Sequence, residues 1–218
     1  MNNGSPTLTD TSRPAARSLD VVVAVALAGM SGAALMAHGF LDIPLSFTAP
    51  FVVLPTTAAA AILVFVRQGI PGRAAVITER VIAGGLWGLI ATAAYDVIRP
   101  PLLWVLHLHF SPFRAMPVFG SLITGRPTTD GVAIAVGWGY HVWNGVTFGM
   151  MLCLARPQSR WVAGMVWGLF LQISMMTLYP DLLQVRLDNP GFLVSSIVGH
   201  AVWGFVLGTG LHWRATRA

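Results

Sequence analysis

Two histidines lie inside apolar runs where an imidazole needs a partner or a purpose. His141 stands near the middle of GVAIAVGWGYHVWNGVTFGMMLCL (Gly131 to Leu154), flanked by Tyr140 and Asn144, and in a second run His200 follows by one helical turn Ser196, which could hold a ring nitrogen. A third run carries Asp96 and Arg99, three residues apart and so on one face of a helix. Polar and ionisable groups at bilayer depth cost several kcal/mol unless they pair or face a cavity. Imidazole titrates near neutral pH and serves as general base, proton relay or metal ligand. With Asp96 and Tyr140 beside it, such a ring could move protons to and from a lipid-soluble substrate. Two facing histidines could instead ligate haem iron, or hold a divalent metal together with Asp96. A chain of Asp and His spanning the membrane would suit a proton- or ion-coupled transporter or channel subunit. The cytoplasmic halves of the expected helices carry almost no ionisable residues, which counts against a continuous path. The expected catalytic set is His141, His200, Asp96 and Arg99, with Tyr140, Asn144, Tyr179 and Ser196 binding substrate. No metal ligand set is assigned and no cofactor is identified.

Each feature has a plainer alternative. An Asp–Arg pair at this spacing also works as a structural clamp. A lone histidine in a membrane commonly makes an interhelical hydrogen bond worth about 1 kcal/mol.

Composition sets the class of the elements that must position these groups. Of 218 residues, 55% are hydrophobic and 10% charged, and the mean hydropathy is +0.70; soluble domains carry about a quarter charged residues. The apolar runs match the ~20 residues a helix needs to cross ~30 Å of hydrocarbon. The expected fold is all-α: a polytopic bundle of six transmembrane helices over roughly 21–40, 50–66, 81–99, 131–154, 161–179 and 192–212. Residues 1–18, rich in Ser, Thr, Pro and Asn, read as a disordered cytoplasmic tail. The run from Val21 is too long for a secretory signal and lacks a small-x-small cleavage site. Pro100-Pro101 is expected to end the third helix, since proline disfavours helical geometry in the residue before it. LLWVLHLHF (Leu102 to Phe110) is too short to span and reads as interfacial or re-entrant.

All thirteen basic residues are Arg. They fall mostly in loops, without an aromatic-interleaved basic patch, so the charge reads as topology and no nucleic-acid partner is expected. With both termini inside, Arg13, Arg17, Arg67, Arg73, Arg80, Arg156, Arg160, Arg214 and Arg217 lie on the cytoplasmic side. Only Arg99, Arg114, Arg126 and Arg186 lie opposite. That bias predicts a multi-pass protein of the cell (inner) membrane with cytoplasmic N- and C-termini. Membrane lipids are the expected partners, with a hydrophobic small molecule and a second copy of the chain as further candidates. Cys153 is the single cysteine, which excludes an internal disulfide or a thiolate cage.

The helices also repeat. RVIAGGLWGLI from Arg80 and RWVAGMVWGLF from Arg160 share Arg, Ala, Gly, Trp, Gly and Leu in register. His141-x3-Gly145-x3-Gly149 parallels His200-x3-Gly204-x3-Gly208. Helices 3–4 and 5–6 thus read as a duplicated hairpin, with His141 and His200 in equivalent places. At ~1.5 Å per residue both histidines fall about 12 to 15 Å below the outer surface.

His200-x3-Gly204-x3-Gly208 is similar to the last helix of rhomboid proteases, but no serine is read as its nucleophile. HExxH and paired aspartate-rich motifs are absent. The segment from about Arg80 to Trp213 resembles the small bacterial inner-membrane proteins of the YagU type, a domain of unknown function. The resemblance rests on a Gly-rich helix ending at prolines, a helix with central His141 and Asn144, and the closing Gly199-His200-Ala201-Val202-Trp203. It implies membrane location and no reaction.

Overall fold

Asp130 and Asn189 open the two helices that carry the histidines. The Asp130 carboxylate accepts N–H bonds from Val132 and Ala133, and the Asn189 side chain accepts one from Phe192 just after Pro190. Both satisfy backbone donors that a helix start leaves free, and Pro190 fits the first turn because it has no N–H to lose.

The computed structural model describes residues 13–67, 73–178, 180–183 and 185–217. In order they form α1 (Arg13–Ala28), α2 (Met30–Leu41), α3 (Leu45–Thr48), a π-helical turn (Ala49–Val53), α4 (Leu54–Arg67), α5 (Arg73–Val105), α6 (Ala115–Thr124), α7 (Gly131–Ala155), α8 (Trp161–Leu178), α9 (Pro180–Leu183) and α10 (Pro190–Ala215). Every regular element among the described residues is a helix, with no strand.

Three stretches are long and apolar enough to cross a membrane: Leu45–Val66, Val76–Val105 and Pro190–Ala215. A fourth arises if Val21–Ala28 and Met30–Leu41, bent by 55° around Gly29, count as one span. Their outer faces are apolar and bare: Phe65 is 74% exposed, Val97 72% and Trp104 78%. Large exposed apolar surfaces of this kind suit lipid, not water. α7 is 25 residues long, and its Tyr, His, Asn and glycines dilute its hydropathy. α8 is a shorter apolar helix.

α5, α7, α8 and α10 make the centre, with α5 against both α7 and α10, α8 against α10, and α6 laid along α7. Glycines set the spacing. A Cβ added to Gly84 would stand 2.6 Å from Met150 Cα, and one on Gly88 2.6 Å from the Gly145 carbonyl oxygen, both on α7. On the other side, a Cβ on Gly164 would lie 2.0 Å from the Gly204 oxygen, and one on Gly168 2.4 Å from that of His200. Small residues let helix backbones approach where lipid supplies no hydrophobic drive between them. Four interhelical bonds reinforce the contacts: Trp203 Nε1 to Thr92 Oγ1 (3.2 Å), Trp167 Nε1 to the Phe148 oxygen (3.1 Å), Ser196 Oγ to Gln172 Oε1 (2.6 Å), and Ser31 Oγ with Thr147 Oγ1 (3.0 Å).

Several expected boundaries move. α1 begins at Arg13, inside the segment expected to be a disordered tail, and residues 1–12 lie outside the described ones. The second helical stretch starts at Leu45 rather than Pro50, with its π turn, Ala49–Val53, taking in Pro50. α5 does not stop at Pro100-Pro101 but continues to Val105, taking in the first residues of the LLWVLHLHF segment. The prolines remove N–H partners from the carbonyls of Asp96 and Val97, a loss that membrane helices tolerate. Arg99, the residue before them, is held in the helix by three bonds described below. α6 was not expected: ten apolar residues too short to span occupy what reads as the loop before α7. Its fit is close, since a Cβ on Gly120 would fall 1.6 Å from the Ala133 oxygen of α7.

Candidate functional site

Arg99 is only 4% exposed, and every nitrogen of its guanidinium has a partner. Nε donates to the Tyr95 carbonyl oxygen (3.2 Å), Nη1 to that of Pro112 (2.5 Å) and Nη2 to Asp96 Oδ1 (2.5 Å). Its charged carbon also lies 3.9 Å from the centre of the Tyr95 ring. Asp96 faces two ways. Beyond Arg99, both its carboxylate oxygens lie 3.1 Å from Nε2 of His141 on α7. A carboxylate only accepts, so Nε2 carries the proton, and in the neutral ring Nδ1 is left with the lone pair.

His200 on α10 is fixed in the opposite sense. Its Nδ1 donates to the Ser196 carbonyl oxygen at 2.9 Å, which leaves the lone pair on Nε2. Tyr95 adjoins both imidazoles, its ring centre 5.8 Å from that of His141 and 5.0 Å from that of His200. Two helix contacts, α5 with α7 and α5 with α10, therefore bring Asp96, Arg99, His141 and His200 into one neighbourhood.

Beside them is a cavity of about 310 Å³, whose wall includes Tyr95, His141, Asn144 and His200 among mostly apolar side chains from α2, α5, α7, α8 and α10. Met36 of α2 is 48% exposed and Phe170 of α8 55%, and both line it, so its mouth lies between those two helices. The Asn144 carbonyl oxygen is buried without a hydrogen-bond partner. Among the described residues no three His, Cys, Asp or Glu side chains cluster as a metal ion requires.

Of the eight residues expected at the site, the structure brings His141, His200 and Asn144 to the cavity wall, with Asp96 and Arg99 directly behind His141. Tyr140 is turned away: its hydroxyl donates to the Ser31 carbonyl oxygen at 2.7 Å, it packs against Phe119, and it is absent from the wall. Ser196 holds His200 as expected, but through its backbone oxygen, while its hydroxyl goes to Gln172. Tyr179 lies outside the described residues. Tyr95, which touches both imidazoles, was not singled out in the sequence. Its spacing, four residues before Arg99 and so on the same helix face, is the signal that would have found it.

The sequence also holds one Gly-x-Ser-Gly, residues 29–32, of the form a rhomboid-type nucleophile would take. Ser31 is 1% exposed and its Oγ pairs with Thr147. No hydrogen bond among the described residues joins it to a histidine, so a Ser–His pair is not assembled. Comparison of the chain with known protein families, curated proteins and solved structures finds no match.

Proposed function

We propose that the chain is a six-span protein of the cell membrane that takes a lipid-soluble molecule from the bilayer into this cavity and exchanges a proton with it. α1–α2, α3–α4, α5, α7, α8 and α10 are the spans of this reading, and the arginine bias orients both termini to the cytoplasm. The matched glycine contacts of α5 with α7 and of α8 with α10 support the duplicated hairpin. The same duplication puts His141 and His200 at equivalent depth.

One observation carries the reading: His141, on the wall of a largely apolar cavity, is backed by a carboxylate that is itself held by a buried arginine. In such a dyad the substrate's proton goes to the lone pair of His141, and the imidazolium that forms is stabilised by Asp96. Arg99 positions Asp96 and does not meet the substrate. Among the described residues no carboxylate pairs with His200, which serves better as a hydrogen-bond acceptor that orients the bound molecule. The apolar wall excludes water and so strengthens these electrostatic effects.

The test is purification in mild detergent, extraction and mass analysis of any co-purifying lipid, and assay of that lipid and its analogues for conversion. A loss of turnover of about 10²-fold or more in His141→Gln, with folding intact, is the expected result for a general base. Undiminished turnover in that variant sinks the assignment. Absorption spectra or elemental analysis showing haem or a bound metal would replace proton transfer with the ligand chemistry of His141 and His200.

A further inference from the structure

The polar atoms of the cavity wall are unevenly divided between donors and acceptors. Thr92 donates to the Gly88 oxygen, Ser174 to that of Phe170, Trp167 to that of Phe148 and Trp203 to Thr92, so each of these N–H or O–H groups is occupied. The Tyr140 hydroxyl is spent on the Ser31 oxygen, and the side-chain oxygen of Asn144 is buried and unpartnered. His200 Nε2 and His141 Nδ1 present lone pairs, because the other nitrogen of each ring is committed. The guanidinium of Arg99 is spent on Asp96, Tyr95 and Pro112. Among the described residues, the cavity wall keeps the lone pairs of His200 and His141, the Asn144 amide and the Tyr95 hydroxyl, which can both donate and accept.

A phosphate or carboxylate headgroup, which needs several donors or a cation, finds neither. A hydrocarbon would leave the buried acceptors unmet, at a cost of about 1–3 kcal/mol for each one desolvated. A hydroxyl fits: it donates to a lone pair and accepts from a phenol.

We propose that the cavity is a binding site for a neutral, hydroxyl-bearing lipophile, a long-chain or polycyclic alcohol or phenol, which enters from the bilayer between α2 and α8 and donates its hydroxyl to His200 Nε2. The mouth is lined by Ala33, Met36 and Phe170, all exposed and apolar, and the polar groups lie inward of it. An amphiphile entering tail-last therefore meets the acceptors with its headgroup while its chain stays near the bilayer. The site rests on the same cavity as the proton-transfer reading but requires no reaction.

The experiment uses the full chain in phospholipid nanodiscs and three photoreactive, alkyne-tagged probes of equal length: a diazirine hexadecanol, its methyl ether and the matching carboxylic acid. The alcohol is expected to label peptides of α8 and α10 at least tenfold more than the ether or the acid, with competition by untagged hexadecanol. His200→Leu should bring the alcohol down to the level of the ether. Ala33→Trp, at an exposed position, should lower labelling severalfold by narrowing the mouth. Equal labelling by all three probes, preference for the acid, or no labelling of these peptides overturns the site, on the native protein alone. Unchanged labelling in Ala33→Trp overturns the lateral route. Labelling as expected, with turnover of the co-purifying lipid undiminished in His141→Gln, goes against proton transfer and leaves the binding site standing.

Discussion

Both carboxylate oxygens of Asp96 lie 3.1 Å from Nε2 of His141, a bond made across the α5–α7 contact. It is short enough only because Gly88, about two turns earlier on α5, and Gly145, about one turn later on α7, let the two backbones almost touch. Sequence features that look separate, a glycine stripe and a polar pair, are thus one device. The stripe sets the helix distance and the distance makes the dyad.

The first prediction concerns charge balance. Arg99 and Asp96 have side chains 5% and 17% exposed, and removing one partner of such a pair strands the other. Asp96→Asn should lower unfolding free energy by about 3 kcal/mol, while Asp96→Leu with Arg99→Met should lie closer to the native protein. Thermal unfolding in detergent, run as a double-mutant cycle, checks it. A double variant whose loss equals the sum of the two single losses would mean that the pair is not coupled.

The second contrasts two glycines. A Cβ on Gly164 meets the Gly204 oxygen at 2.0 Å, whereas one on Gly139 meets nothing within 4 Å. Gly164→Ala should destabilise by about 1–3 kcal/mol through overpacking. Gly139→Ala should be neutral or stabilising by up to about 1 kcal/mol, since alanine loses less entropy in a helix. Melting temperatures moving in the same direction would contradict the close approach of α8 to α10.

The third separates Tyr140 from its neighbour His141. Tyr140→Phe removes the bond to the Ser31 oxygen and should cost about 1 kcal/mol. It should leave the labelling of the cavity by the hydroxyl probe unchanged, because Tyr140 is off the wall. A tenfold drop in labelling at unchanged stability would restore Tyr140 to the site.

That third case also marks how far the sequence could be read. Spacing of three or four residues correctly joined Asp96 to Arg99 and placed His141 and Asn144 on one wall, because helical neighbours at that spacing share a face. Tyr140 was placed there by adjacency alone, and consecutive residues on a helix point about 100° apart. Ser196 was the right residue for His200 through the wrong atom: the spacing identifies a helical turn and cannot distinguish a hydroxyl from the carbonyl above it. Pro100-Pro101 misled because local backbone preference was weighed without the tertiary bonds of Arg99. α6 escaped because its ten residues lack the length of a span and gain their stability only from the glycine-fitted surface of α7.

The fourth prediction is a pH dependence at the start of α7. The N–H of Val132, and after it those of Ala133 and the Arg126 guanidinium, hold the Asp130 carboxyl below its ordinary value. A carboxyl whose pKa is lower in the folded state stabilises that state while ionised. The contribution is therefore complete above the unfolded value of about 4 and is lost as pH falls through the depressed folded value. Asp130→Ala should melt below the native protein at pH 7, and the gap should narrow steadily as pH drops below about 4. Asp130→Asn, whose amide oxygen still accepts the same N–H bonds, should retain most of the cap and show little of this pH dependence. Amide exchange at the first turn of α7, measured across that range, checks the sign directly. Protection that rises on acidification would contradict the capping role of Asp130. Without that cap the first turn frays, and α7 loses the fixed start from which Ala133 and Gly137 meet α6, about two turns and one turn before His141 reaches the cavity.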